Sequence, residues 1–177
     1  MPMIDLTYPA GSLSPAARAD AVDALTAALL RCEGAPDNER TRALTWVFVH
    51  ELPEGAINVG GRPFPKPVYR AMVTVPEGTM LHGPGPFGVQ SRRQLVREVT
   101  DILLAAEGTE TTPRDEARVQ CLVREITDGY WGGLGTTFRM EDIASIAAPE
   151  AGDTPLAMQA RETIDQVVLG DRLVATS

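Results

Sequence analysis

The chain has only two cysteines and two histidines in 177 residues. Cys32 falls in an expected helix and Cys121 in an expected strand. Neither has metal-ligand spacing or a histidine nearby, which favours buried thiols over zinc ligands or a disulfide. No metal or other cofactor is expected. No apolar run approaches the roughly 20 residues that span a bilayer, and the first residues lack the basic region and apolar core of a signal peptide. The expectation is a cytoplasmic protein with no membrane partner. A basic patch is also missing: the sixteen basic residues are scattered, only Arg92 and Arg93 are adjacent, and the net charge is −8. That excludes phosphate tracking, and nucleic acid with it. What remains is a chain with 44% hydrophobic residues, enough for the core of one large domain or two small repeats.

The order of elements repeats once. Met3–Tyr8 reads as a short strand. Val22, Leu25, Leu29 and Cys32 then recur at helical spacing, opened by Ser14-Pro15 and closed by Gly34. Leu44–His50 follows, rich in β-branched and aromatic residues. The same β-α-β order returns in Val68–Val75, a helix over about Ser91–Glu107 with Leu95, Val99, Ile102 and Leu103 on one face, and Arg118–Ile126. Gly108 closes the second helix as Gly34 closes the first. Local wording agrees: Val49–Gly55 aligns with Val123–Gly129, and Pro9-Ala10-Gly11 with Pro76-Glu77-Gly78. The second repeat carries an insert, Thr79–Gly88, rich in glycine and proline. Pro149–Thr154 reads as a linker, and Ala157, Ala160, Ile164, Val167 and Val168 as a terminal helix used for packing or oligomer contact. The expected layout is residues 1–147 as one unit, with repeats over 2–62 and 67–140, then linker and helix in 148–177.

Pro2 is the candidate catalytic residue. Removal of Met1 leaves it with a free secondary amine, able to act as base, acid or nucleophile. An α-amino group titrates near pKa ~8, and desolvation brings such an amine toward neutrality.

Pro2 heading a strand, the helix opening Leu13-Ser14-Pro15-Ala16-Ala17-Arg18, and the run Glu51-Leu52-Pro53-Glu54-Gly55 before Gly60-Gly61 resemble the tautomerase superfamily over about residues 2–140. The resemblance implies an α+β fold in which two fused β-α-β repeats form a four-stranded mixed sheet with two helices on one face, a C-terminal helix being added here. It also implies a homotrimer, a small-molecule substrate and Pro2 as general base for keto-enol tautomerisation of a small enol or 2-oxo acid. Related alternatives are a hydratase or decarboxylase with Pro2 as acid, for which no carboxylate is placed to activate water, and a non-catalytic trimeric binding module. A ferredoxin-like regulatory domain has the same element order.

The family's charged partners do not carry over. Its substrate-binding arginine after the first strand corresponds to Ser12 and Thr79, and a second arginine to Trp46 and Gln120. Its aromatic wall corresponds to Ile57 and Trp131. If the first strands of the repeats pair antiparallel, as the family fold implies, the insert borders Pro2. His82 then becomes a substrate-side candidate able to exchange protons near neutral pH, the alternative being a solvent-exposed loop histidine. Arg124, on the same strand face as Gln120, offers a planar fork to a carboxylate or else pairs with Glu51 or Glu125. Trp46 is a candidate contact or an interface residue. Tyr69 stands where the second repeat would need its own proline, so one site per chain is expected.

Overall fold

A serine, a proline and a glycine delimit the first helix, and each acts through a specific contact. In the computed structural model, which describes residues 2–81, 89–147 and 154–169, helix α1 runs Pro15–Glu33. The Ser14 hydroxyl accepts from the Ala17 N–H at 3.1 Å, meeting one of the donors a helix start leaves unpaired. Gly34 ends the helix at φ +72°, and its N–H returns to the Arg31 carbonyl, a left-handed cap that glycine takes without strain.

Strand β1 (Met3–Pro9) precedes α1, and β2 (Trp46–Leu52) follows it. Between them a six-residue helix, α2 (Glu39–Leu44), occupies the start of the segment expected as strand. Asn38 and Thr41 close a reciprocal capping box there, the Asn38 side chain accepting from the Thr41 N–H and the Thr41 hydroxyl from the Asn38 N–H. That local bonding holds Leu44 in the helix, and the residues after Thr45 form the expected strand. A small hairpin, β3 (Asn58–Val59) and β4 (Arg62–Pro63), leads to β5 (Tyr69–Pro76). Helix α3 (Val89–Ala106) and β6 (Val119–Ile126) complete the second unit. A hairpin of β7 (Trp131–Gly133) and β8 (Thr136–Phe138), then helices α4 (Met140–Ala147) and α5 (Pro155–Thr163), form the remainder. The two hairpins, α2 and α4 are not anticipated from the sequence, because each is too short to show a period.

The main sheet has the order β2-β1-β5-β6. β1 pairs in parallel with β2 from Met3↔Trp46 to Pro9↔Leu52, and β5 with β6 from Tyr69↔Val119 to Pro76↔Ile126. The inner strands run antiparallel, Met3 opposite Thr74 and Thr7 opposite Arg70. The repeats are therefore related by a local two-fold, and equivalent turns make equivalent bonds. The Ala10 N–H donates to the Leu52 carbonyl and the Glu77 N–H to the Ile126 carbonyl, both at 2.8 Å.

Side chains alternate across the sheet. Ile4, Leu6, Tyr8, Ala71, Val73 and Val75 face α1 and α3 and are fully or almost fully buried with Leu25, Leu29, Leu95, Val99 and Leu103. Each such aliphatic side chain contributes about 1.5–3 kcal/mol, so this layer holds the domain together. Among the described residues no helix covers the centre of the opposite face, and Trp46, Phe48 and Leu122 there are 50%, 41% and 45% exposed. A second cluster gathers Ala43, Leu44, Trp131, Phe138, Ile146, Ala157, Ala160 and Ile164. The terminal helix α5 thus packs on the chain's own α2, α4 and second hairpin.

Candidate active site

Pro2 is buried at the head of β1, where its carbonyl accepts from the Trp46 N–H at 3.1 Å. It lines a cavity of about 240 Å³ with Leu30, Leu44, Pro76, Met140 and Ile143. The cavity is walled by three elements that the sequence alone does not bring together: the end of α1, α2 and α4. Helix α4 is tied down at its start. Asp128 accepts from the Met140 N–H at 2.6 Å and from Arg139 Nε at 2.8 Å, and Asp142 accepts from the Arg139 N–H at 2.9 Å. The Thr154 hydroxyl, which caps α5, also donates to Asp142 at 2.6 Å.

The cavity holds a carboxyl that sequence reasoning does not find. Glu33, the last residue of α1, lines it together with Pro2, and it is the cavity's only ionisable side chain among the described residues. Its Oε1 is closed to solvent and has no hydrogen-bond partner. Burial raises the Glu33 carboxyl from 4.5 to about 7, against the opposing pulls of the chain's terminal amino group and the Thr79 hydroxyl. That hydroxyl donates to the Pro76 carbonyl at 2.9 Å, as the Ser12 hydroxyl donates to the Pro9 carbonyl at 2.6 Å. Both positions that match the family's substrate-binding arginine are therefore turn-closing hydroxyls.

The second repeat has filled its equivalent place. Tyr69, matching Pro2, is buried, and its hydroxyl lies beside the Glu107 carboxylate without a well-aligned bond. Glu107 matches Glu33, each preceding its helix-closing glycine. Arg118 binds Glu107 through Nη2 at 2.9 Å and Asp115 through Nε at 2.9 Å, and donates to the Pro67 carbonyl at 2.6 Å. In the first repeat the residue matching Arg118 is Leu44. Glutamates one residue before both closing glycines, with an arginine answering only one, are the sequence signal that could have exposed Glu33.

The other sequence candidates lie elsewhere in the chain. Gln120 is exposed at the opposite end of the sheet, in a groove with Tyr69 and Arg70. Arg124 is exposed on the helix-free face, in register with Thr74. Glu51, one of its suggested partners, accepts instead from Arg18 Nη1 at 2.8 Å and the Tyr8 hydroxyl at 3.0 Å. Trp46 is half exposed, edge-on to Phe48 with ring centroids 6.0 Å apart, and its Nε1 donates to the Ala43 carbonyl. Trp131 is buried and, with Pro76, Met140 and Ile143, lines a small separate cleft rather than the Pro2 cavity. His82 lies outside the described residues. The two thiols are free, Cys32 buried and Cys121 half-buried, each pushed up to about 11 by desolvation.

No protein-family model and no curated protein sequence matches the chain. Solved structures do. N1, a member of the cis-3-chloroacrylic acid dehalogenase family, is 18% identical with a TM-score of 0.65, covering 93% of this chain and 99% of its own. Pt0534, inactivated by 2-oxo-3-pentynoate, is 18% identical with a TM-score of 0.59, over 80% of this chain and 98% of its own. Q0 fused 4-OT, a symmetric trimer, is 19% identical with a TM-score of 0.54, over 76% and 93%. Together with the β2-β1-β5-β6 sheet and its local two-fold, these matches show that the chain has the tautomerase-superfamily fold, in its fused two-repeat form.

Proposed function

We propose that the protein is a tautomerase-like isomerase in which Pro2, freed of Met1, moves a proton between carbon and oxygen of a small enol or ketone. The observation that carries this reading is the burial of Pro2 at the mouth of β1, in an apolar cavity large enough for a small carbonyl compound. Burial of an amine favours its neutral form, which is the form a general base needs. The fold's solved members include a fused symmetric trimer, and the exposed apolar residues on the helix-free face supply a surface for the same assembly here. The substrate is a small molecule.

A second reading, hydration or decarboxylation with Pro2 as acid, gains one observation: Glu33 is a carboxylate beside Pro2. Its raised pKa leaves it protonated through much of the neutral range, which suits a proton donor better than a base for water.

The test pairs a keto-enol assay with labelling. Native protein and Pro2→Ala are assayed on several enols, and native protein is treated with 3-pentyn-2-one, whose alkyne accepts addition of a neutral amine. A mass gain of one reagent on the peptide beginning at Pro2, with loss of rate in Pro2→Ala, is expected. Equal rates in both proteins would sink the proposal.

A further inference from the structure

We propose that Glu33 is the second proton-transfer group of the Pro2 cavity, and that the cavity accordingly takes an uncharged carbonyl compound in place of a carboxylate. This rests on the reading of Pro2 as the base.

Three observations converge. The first is the orphaned oxygen: Glu33 Oε1 is buried and unpartnered, on a side chain that lines the cavity together with Pro2. A native fold rarely leaves such a group without a use or a ligand. The second is the internal comparison. The matching Glu107 is held ionised by Arg118, whereas Leu44 stands at the matching position in the first repeat and no arginine or lysine side chain lines the cavity among its described residues. The same carboxyl is a structural anion in one repeat and a desolvated acid with a raised pKa in the other. The third is the lining. α2 presents Thr41 and Leu44, the segment after β5 presents Pro76 and Thr79, and α4 presents Met140, Ile143 and Ala144. The nearby ionic groups of these elements are committed elsewhere: Arg40 to Asp165, Arg42 to Asp23 and Asp37, and Asp142 to the Arg139 N–H and Thr154. A carboxylate substrate would enter an apolar cavity with no cation among its described lining and with a carboxyl already present, which the desolvation cost of a buried charge forbids.

The chemistry balances with these two groups alone. In the ketone-to-enol direction Pro2 nitrogen takes the α-proton, the C–H pair becomes the C=C bond, and the carbonyl oxygen takes the Glu33 proton. The enzyme is left as Pro2 ammonium and Glu33 carboxylate. The reverse reaction uses that ion pair, and proton return from Pro2 to Glu33 resets the site. Both directions run from the pair carrying one proton, so activity falls when the pair gains a second proton or loses its last. The titration belongs to the pair.

The experiment follows α-proton exchange in D2O by NMR, using neutral phenylacetone and anionic phenylpyruvate, with native protein, Glu33→Gln and Pro2→Ala over about pH 5 to 9. Native protein is expected to exchange phenylacetone faster than phenylpyruvate, with a bell-shaped pH profile. Glu33→Gln should lower the phenylacetone rate by about 100-fold and abolish the alkaline limb, since glutamine has no proton to lose. An unchanged rate and profile in Glu33→Gln, or a native preference for phenylpyruvate, overturns the inference. Loss of rate in Glu33→Gln with none in Pro2→Ala overturns the role of Pro2 and leaves Glu33 as the reacting group. A readout independent of turnover is the 13C signal of the Glu33 carboxyl, assigned by its absence in Glu33→Gln. A midpoint near 7 supports the inference, and one at the ordinary 4.5 overturns it even if neither probe exchanges.

Discussion

Glu33 and Glu107 occupy the same place in the two repeats, each one residue before a left-handed glycine, yet one has an arginine and the other has a cavity. Gly34 and Gly108 sit at φ +72° and +65°, so the backbones end alike. The difference lies in the facing residue, Leu44 in the first repeat and Arg118 in the second.

Removal of Arg118 exposes what the pairing does for the fold. The Arg118 and Glu107 side chains are only 5% and 6% exposed, and a buried carboxylate stripped of its partner is costly. Arg118→Leu is expected to destabilise the protein by about 3 kcal/mol, measured by urea denaturation near neutral pH. Burial alone pushes the Glu107 carboxyl up, but the bonds from Arg118 and the nearby Tyr69 hydroxyl hold it below 4.5. Its contribution is thus present above the unfolded value and disappears as pH falls through the lower folded one. The penalty of Arg118→Leu should shrink in acid.

Glu33 has the opposite sign. Its folded value lies above the unfolded one, so the native state holds the proton more tightly and stability declines as pH rises from about 4.5 to about 7. Glu33→Gln removes that decline. At pH ~8 the variant should be more stable than native protein by on the order of 2 kcal/mol, and the gain should vanish near pH ~4. A thermal-melt series across pH checks both halves.

Thr79→Arg restores a cation beside the cavity. It should bring the Glu33 midpoint down into the ordinary carboxylate range, because an opposite charge favours the ionised form. Exchange of phenylpyruvate should rise relative to phenylacetone. The change also removes the hydroxyl bond to Pro76, at a cost of about 1 kcal/mol, so the expected readout is altered preference with slightly lower stability. A preference that does not move would show that Thr79 is too far from the bound substrate to matter.

Phe48→Lys and Leu122→Lys place charge on the helix-free face of the sheet. Neither side chain belongs to the buried core, so the folded chain should persist while self-association weakens. Sedimentation velocity should report smaller species for both variants than for native protein. An unchanged sedimentation coefficient would place the contact surface elsewhere.

The repeated strands, their register and the two long helices are legible in the sequence because each has a clear period and marked ends: Ser14-Pro15 and Gly34 for α1, and Leu95, Val99 and Leu103 for α3. Pro2 is legible through its place at the head of a strand. The cavity is not. Thr41, Met140 and Ile143 come from α2 and α4, elements of six and eight residues whose starts are set by a few side-chain bonds at Asn38, Asp128 and Asp142. Glu33 is hidden for a related reason: a glutamate at a helix end is ordinarily solvated, and its burial here comes with a cavity whose other walls are short, distant elements.

The walls contributed by α4 lie outside the duplicated sheet-and-helix core. Met140, Ile143 and Ala144 can therefore change size without disturbing a strand register or the layer beneath α1 and α3. The proposed reacting groups, Pro2 and Glu33, belong to the first repeat and much of the cavity's wall to the segment after the second, a division that would let one scaffold be refitted to different molecules by altering α4.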